Sequence, residues 1–135
     1  MTVVDASVWV AALVPRDAHH VASRDWLERE LRAGRPLATP ELAVIEVAGA
    51  IARRTGSSAL GRRAAAAVLD VPALALHALD APGVATSTAL AAERRLRGAD
   101  AVYLALARIL DAPLLTWDDE QIARAEGVVR ARRPD

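Results

Sequence analysis

The chain is 135 residues long, with 53% hydrophobic and 25% charged residues, which is the size and composition of one folded domain rather than of a disordered segment. Its formal net charge is zero at pH 7, which excludes a uniformly basic nucleic-acid binder but allows a local basic groove. Because there is no cysteine, disulfides, thiolate zinc sites and a cysteine nucleophile are excluded.

Targeting and membrane signals are missing from the sequence. The amino terminus has no basic region before its apolar run, and that run contains Asp5, so we expect no signal peptide. The apolar stretch over residues 64–85 is interrupted by aspartates, prolines and a histidine, and so predicts no membrane span. Together with the absence of cysteine, these features favour a cytoplasmic protein that does not bind a membrane.

The opening segment, residues 2–10, predicts a buried strand that ends in an aspartate. Its first residues are apolar and partly β-branched, and Asp5 then interrupts the run. A buried carboxylate is unfavourable unless a partner compensates it. Asp5 is therefore either the N-cap of a helix that begins near Ala6, or a residue at the carboxyl end of a central parallel strand, where open α/β sheets bind ligands.

The remaining hydrophobic patterns alternate between helices and short strands. Helices are predicted at residues 7–13, 17–33, 39–54, 58–69, 82–97, 100–110 and 118–126. After the opening strand, further strands are predicted at residues 36–39, 74–79, 114–116 and 128–129. This alternation predicts an α/β fold, a single domain over residues 1–135 with a central, mostly parallel β-sheet flanked by helices on both faces.

Several boundaries follow from local signals. Asp17 is expected to cap the second helix, and Thr39 to cap the third, with Pro40 at its first helical position. Gly98 is expected to end the fifth helix. Residues 128–129 are expected to form the last strand, before an exposed arginine-rich tail.

Glu46 is the acid that most needs an explanation. Its helical neighbours three and four positions away are all apolar, namely Leu42, Ala43, Gly49 and Ala50. No basic residue on that face pairs with it. Either Glu46 is a lone glutamate on a partly exposed edge, or its carboxylate projects into a site.

Three further aspartates occupy helix starts. Asp100 precedes a helix that is apolar nearly all round, which is typical of a buried helix. Asp118 directly follows an apolar strand, with Asp119 next to it. Each of them has an ordinary explanation as an N-cap or first-turn acid, and Asp119 as the cap would leave Asp118 free.

Considered together, these acids suggest a metal site. Strand ends and helix starts of a parallel sheet converge at one edge. Four carboxylates at that edge would repel one another unless a cation were present. A hard divalent cation with oxygen ligands, Mg²⁺ or Mn²⁺, is the natural partner. Such a site suits phosphodiester hydrolysis, because the metal activates water and stabilises charge on phosphorus.

The same acids also carry a resemblance to a known family. They lie in four segments with a characteristic order and spacing: Asp5-Ala6-Ser7 after a hydrophobic strand, Pro40-Glu41-Leu42 through Glu46-Val47-Ala48, Ala99-Asp100-Ala101 through Leu104-Ala105-Leu106-Ala107, and Leu114-Leu115-Thr116-Trp117-Asp118. In these segments, which span nearly the whole chain, the protein resembles PIN-domain proteins, and most closely the VapC-type toxins of bacterial toxin–antitoxin pairs.

This resemblance implies a Mg²⁺-dependent endoribonuclease, with Mn²⁺ as a substitute, that cuts RNA. It also implies a homodimer held inactive by a cognate antitoxin inserted into the active-site groove. Ser7 and Thr116 match positions of supporting hydroxyls, and the Thr-Trp-Asp spacing favours Asp118 over Asp119 as the fourth acid, with Asp119 in a supporting place. Trp117 is expected to pack rather than to stack on RNA bases. By the same resemblance, the acidic catalytic and metal-binding residues are Asp5, Glu46, Asp100 and Asp118.

Two other classes of function remain as rivals. A catalytically silent PIN-like module that binds RNA or protein is the main alternative, although such a module need not keep four acids. A receiver-like phosphoacceptor usually needs a lysine, and all seventeen basic residues here are arginine. Most arginine clusters are interpreted as solvated helix faces, and any that line a groove would hold RNA phosphates.

Overall fold

A five-stranded, entirely parallel sheet organises the fold in the computed structural model, which describes residues 1–135. The strand order is β3-β2-β1-β4-β5. The strands are β1 (Thr2–Val4), β2 (Leu37–Pro40), β3 (Leu74–His77), β4 (Leu114–Leu115) and β5 (Ala131–Arg132). The α/β class predicted from the sequence is therefore confirmed.

Seven helices connect and cover these strands. They are α1 (Ala6–Leu13), α2 (His20–Arg32), α3 (Glu41–Thr55), α4 (Ser58–Leu69), α5 (Ala81–Arg94), α6 (Gly98–Ile109) and α7 (Asp119–Ala125). None of them combines the length and the apolar character that crossing a lipid bilayer requires.

Strand β1 lies at the centre of the sheet because both of its faces and both of its edges are covered. Val3 and Val4 point to opposite faces and are both 0% exposed. Strand β1 pairs with β2 on one side and with β4 on the other. The chain order reverses across β1, so the carboxyl ends of β1 and β4 form the crevice at which open α/β sheets bind ligands.

Two helices bring side chains to this crevice from outside the sheet. The segment of α6 from Ala101 to Ala107 is buried at every position, which explains its continuous apolar sequence. In α3, the buried residues Ala43, Val47 and Ile51 recur every four positions and define the face turned to the core. Glu46 and Asp100 therefore lie on helices whose orientation is fixed by packing.

The start of α3 differs from the prediction. Thr39 does not cap this helix, because its hydroxyl donates to the carbonyl of Val4 at 2.8 Å inside the sheet. Pro40 ends β2 in register with His77 and occupies the N-cap position, and Glu41 begins the helix. The predicted cap was wrong because sheet pairing uses Thr39 and Pro40 before the helix starts.

Three other predicted boundaries were also wrong. Helix α5 ends at Arg94 and is followed by Arg95 with φ of 55°, whereas Gly98 begins α6. Helix α2 begins at His20, and Asp17 instead accepts a hydrogen bond from the backbone N–H of His19 at 2.9 Å in the preceding turn. The third of these boundaries is that of the last strand.

The last strand lies in the tail rather than at residues 128–129. The backbone N–H of Leu114 donates to the carbonyl of Arg130 at 3.0 Å, and that of Thr116 donates to Arg132 at 3.0 Å. The arginine-rich tail thus completes the sheet as β5. Its β-structure comes from pairing with β4, because its sequence has little strand propensity of its own.

Candidate active site

Asp5 meets both descriptions that the sequence left open. It follows β1 directly, and it is also the N-cap of α1, since its Oδ2 accepts from the backbone N–H of Ser7 at 2.9 Å. The hydroxyl of Thr116 donates to the same oxygen at 3.2 Å. The residue is 7% exposed, and this burial raises the pKa of the Asp5 carboxyl, with a smaller contribution from the negative charge of Asp100.

Glu46 is not a lone acid on an exposed edge. It is half-buried, and its Oε1 accepts a hydrogen bond from the hydroxyl of Tyr103 at 2.7 Å. Burial raises the pKa of the Glu46 carboxyl, and the charges of Asp5 and Asp100 raise it further, while the Tyr103 hydrogen bond opposes the rise. Three acids from β1, α3 and α6 are therefore close enough to affect one another's charge.

Asp100 and Asp118 share one cationic partner. The Arg97 Nε donates to Asp100 Oδ2 at 3.0 Å, and its terminal nitrogen donates to Asp118 Oδ2 at 3.2 Å. The other oxygen of Asp118 caps α7 by accepting from the backbone N–H groups of Glu120 and Gln121 at 2.8 and 3.0 Å. One carboxylate thus acts as a helix cap and faces the acidic site at the same time.

The two predicted supporting hydroxyls link β1 to the segment after β4. Ser7 Oγ lies 3.4 Å from Thr116 Oγ1 and accepts from the backbone N–H of Trp117 at 3.1 Å. Thr116 Oγ1 accepts from the backbone N–H of Asp118 at 3.1 Å. These bonds hold the backbone between Thr116 and Asp118 against Asp5.

The two adjacent acids, Asp118 and Asp119, have different surroundings in the structure. Asp119 leaves 70% of its side chain exposed and is paired with Arg133 in the tail. It does not line the cleft, whereas Asp118 does. The structure thus places Asp119 outside the cleft lining and against the tail, and its supporting role stays a prediction.

All four predicted acids line one open cleft of about 680 Å³. Arg53 and Arg54 lie on its wall, with Arg54 paired to Asp17 at 2.8 Å. At another part of the wall, the ring of His19 stacks on Trp117 with centroids 3.8 Å apart. The indole N–H of Trp117 donates to Ser23 Oγ at 2.8 Å, so this ring is fixed by packing and by a hydrogen bond.

The donor chemistry of the cleft fits a hard divalent cation, although the side chains do not form a finished metal cage. No three acidic or histidine side chains are arranged so that they could hold a metal ion together. Arg97 instead contacts two of the acids, whereas Asp5 and Glu46 have no ion-pair partner, and burial, followed by the charge of neighbouring acids, raises the pKa of both carboxyls. An oxygen-only set with excess negative charge suits Mg²⁺ or Mn²⁺.

Two residues of this site were not recognised as such from the sequence. Tyr103 was treated only as part of a buried helix, and Arg97 as part of an exposed arginine cluster. Arg97 lies three positions before Asp100, and that spacing is a local signal for the contact between them. Tyr103 lies three positions after Asp100, but its partner Glu46 is on α3, so no local signal points to its contact.

Comparisons with known proteins agree with this architecture. The model of the PIN domain family matches residues 2–128, so the chain belongs to the PIN-domain family. Its structural neighbours are VapC toxins of VapBC toxin–antitoxin systems, which confirms the resemblance seen in the sequence. No curated protein sequence is significantly similar to the chain.

Three solved structures illustrate the similarity in fold. VapC20 of Mycobacterium tuberculosis, a toxin that cleaves the sarcin–ricin loop, is 23% identical, with a TM-score of 0.76 over 98% of this chain and 99% of that chain. VapBC2 of Rickettsia felis, bound to a promoter DNA fragment, is 14% identical, with a TM-score of 0.76 over 99% and 98%. FitAcB of Neisseria gonorrhoeae is 16% identical, with a TM-score of 0.72 over 99% and 98%.

Proposed function

We propose that this protein is a Mg²⁺-dependent endoribonuclease, with Mn²⁺ as a substitute, and the toxin of a type II toxin–antitoxin pair. The observation that carries the proposal is the assembly of four acids from separate parts of the chain in one cleft beside the central strand. A buried carboxylate such as that of Asp5, with other acids close by, is unfavourable for stability, so the presence of these acids together favours a functional role. The acids are Asp5, Glu46, Asp100 and Asp118.

Each acid has a role in this proposal that its surroundings support. Asp5, Asp100 and Asp118 would hold the metal through carboxylate oxygens, and Glu46 would be a fourth ligand or the base. Ser7 and Thr116 orient Asp5 and the backbone before Asp118. A bound divalent cation lowers the pKa of water and stabilises negative charge on phosphorus.

Glu46 is the acid best suited to move a proton. Its raised pKa brings the carboxylate closer to the range in which a general base works near neutral pH. In hydrolysis, a water oxygen attacks phosphorus, the P–O bond to the leaving oxygen breaks, and Glu46 takes the proton of the attacking water. Tyr103 holds the carboxylate in place for this step.

RNA as substrate is supported by the cationic wall of the same cleft. Arg53 is exposed, makes no ion pair and lies over Gly49, where its guanidinium can hold a phosphate. With 3% aromatic residues, the chain offers few stacking surfaces, so phosphate contacts and RNA shape carry most of the recognition. With RNA as substrate, we propose a cytoplasmic location.

An antitoxin partner is supported by the structural neighbours, because one of them is a toxin–antitoxin complex from Klebsiella pneumoniae. In this proposal a cognate antitoxin blocks the acidic cleft, and the toxin is a homodimer. An apolar groove between α1, α2 and α4 is available to a partner segment, and its lining includes Leu13, Leu27, Leu31 and Val71.

The alternative is a catalytically silent PIN-like module that binds RNA or protein. One observation favours it, namely that Arg97 satisfies two of the four acids without any metal. A silent module would bind RNA with the same affinity in EDTA and in Mg²⁺, and would not cleave it.

Cleavage of total RNA by purified protein tests the proposal. The reaction is run with Mg²⁺, with Mn²⁺ and with EDTA, for the wild type, Asp100→Asn and Asp25→Asn. Asp25→Asn is the control, because it makes the same chemical change at an exposed position of α2. We expect discrete products that need metal, are lost in Asp100→Asn and persist in Asp25→Asn. Equal products from wild type and a folded Asp100→Asn would contradict the proposal.

A further inference from the structure

The cation nearest to the acidic site belongs to the chain itself. Arg97 lies immediately before α6. Its Nε donates a hydrogen bond to Asp100 at 3.0 Å, and a terminal nitrogen donates one to Asp118 at 3.2 Å. Both acceptor atoms are Oδ2 oxygens of acids proposed to hold the metal. A divalent cation bound by these two carboxylates therefore competes with the Arg97 guanidinium.

The other arginines of the cleft do not contact these acids. Arg54 is paired with Asp17 on the wall, and Arg53 has no carboxylate partner. Asp5 and Glu46 also lack a basic partner, and each has a raised pKa that reflects burial and neighbouring negative charge. Arg97 is thus the single counterion of the acidic cluster.

The Arg97 side chain is able to leave these acids. It is 75% exposed, and none of its hydrogen bonds is buried. An exposed ion pair of this kind is weak and is screened by salt. Mn²⁺ carries twice the charge and binds the same oxygens, so its binding favours release of the guanidinium.

A released Arg97 would remain on the exposed wall of the cleft that it lines, within reach of a phosphate bound there. Guanidinium groups bind phosphate through two parallel hydrogen bonds, in the same fork geometry with which they bind carboxylates. When metal neutralises Asp100 and Asp118, a phosphate becomes the nearest available anion of matching shape.

We propose that Arg97 is an exchangeable counterion, which holds Asp100 and Asp118 in the metal-free protein and binds an RNA phosphate once metal has displaced it. This inference rests on the proposed nuclease function. It assigns to one residue two opposite effects: Arg97 weakens metal binding and strengthens RNA binding. A residue with a merely structural role would change both in the same direction or change neither.

The metal arm of the test needs no cleavage. Mn²⁺ binding to the wild type, Arg97→Gln, Arg97→Lys and Arg62→Gln is measured by calorimetry. Arg62→Gln is the control, because Arg62 is an exposed residue of α4 that does not line the cleft. We expect Arg97→Gln to bind Mn²⁺ roughly two- to tenfold more tightly than the wild type, because the metal no longer has to break two exposed ion pairs. Arg97→Lys, which keeps the charge, and Arg62→Gln should stay close to the wild type.

The RNA arm uses a Glu46→Gln background, which removes the base and leaves the contacts of Arg97 intact. Binding of a fluorescein-labelled, mixed-sequence, single-stranded RNA 12-mer is followed by anisotropy in Mn²⁺ at several salt concentrations. We expect Arg97→Gln to weaken binding and to lower the salt slope by about one. Arg97→Lys should restore the slope and only part of the affinity, because it lacks the fork.

Opposite changes in the two arms support the inference. Unchanged Mn²⁺ affinity in Arg97→Gln, or weaker binding of both ligands, overturns it. If the wild type binds Mn²⁺ and cleaves RNA but Arg97→Gln changes neither affinity, the inference fails alone. If no variant binds Mn²⁺, the inference and the proposed metal-dependent function fail together.

Discussion

Removal of the Tyr103 hydroxyl tests the link between the buried core and the acidic cleft. In Tyr103→Phe the ring stays in its site, where Tyr103 is 1% exposed, and only the donor to Glu46 Oε1 at 2.7 Å is lost. A hydrogen bond to a charged group contributes about 1.5–3 kcal/mol. Because Glu46 is half-buried and water can replace part of the bond, we expect a loss of about 1–2 kcal/mol at pH 7.

Two measurements on Tyr103→Phe separate stability from function. Urea unfolding at pH 7 gives the free energy of unfolding, and an unchanged slope with denaturant shows that the folded state is otherwise intact. Mn²⁺ titration should show about tenfold weaker binding or more, since partners that orient metal ligands contribute about 10–100-fold to metal affinity. The Glu46 pKa should rise further, because the Tyr103 bond now opposes its rise.

The control for this variant is Trp9→Phe, which also changes a buried aromatic residue that donates a hydrogen bond. The indole N–H of Trp9 donates to Thr39 Oγ1 at 3.4 Å and not to an acid of the site. Trp9→Phe should lower stability without changing Mn²⁺ affinity once folded. If Tyr103→Phe unfolds at the same urea concentration as the wild type and binds Mn²⁺ equally well, the proposed positioning of Glu46 by Tyr103 is wrong.

Further predictions concern the stability of the folded protein. Asp5→Asn should raise the free energy of unfolding at pH 7 by about 0.5–2 kcal/mol, since it removes a buried charge kept at a functional site. Burial raises the pKa of Asp5 above its unfolded value of 3.8, so ionisation of Asp5 destabilises the folded protein as the pH rises above that value. The melting temperatures of the wild type and Asp5→Asn should therefore converge near pH 4 and separate toward neutrality. A constant difference across this range would contradict the raised pKa of Asp5. Gly61→Ala should cost about 1–3 kcal/mol in urea unfolding, because the added Cβ would lie 2.6 Å from the carbonyl oxygen of Ala48 on α3; full stability would show that α3 and α4 can move apart freely.

Hydrophobic patterning was sufficient to predict the α/β class, since most elements of this chain carry their own signal. The continuous apolar segment of α6 and the four-residue spacing in α3 are local properties of the sequence, and the structure confirms both helices. The strand β5 at Ala131–Arg132 carries no such signal, because it exists through hydrogen bonds to β4. The prediction failed there because the pairing of β5 with β4 cannot be seen in the local sequence.

The candidate site shows the same division. Asp5, Glu46, Asp100 and Asp118 were selected from their positions at strand ends, at helix starts or on an apolar helix face, and from the resemblance to PIN-domain proteins. The structure places all four in one cleft. The contact of Tyr103 with Glu46 and that of Arg97 with Asp118 depend on how α6 lies against α3 and α7, which no spacing within one helix reveals. The partners of Asp118 and Asp119 depend on the same packing, so only the family resemblance favoured Asp118 at the level of sequence.

The most direct test of the account is the binding of Mn²⁺ to the wild type, Asp118→Asn and Asp119→Asn, measured by calorimetry at one pH and salt concentration. The two variants make the same change at adjacent positions, of which one lines the cleft and the other is 70% exposed beside Arg133. We expect the wild type and Asp119→Asn to bind with equal affinity, and Asp118→Asn to bind at least about tenfold more weakly. Equal binding by all three proteins, or no binding by the wild type, would contradict the assignment of this cleft as a metal-dependent active site.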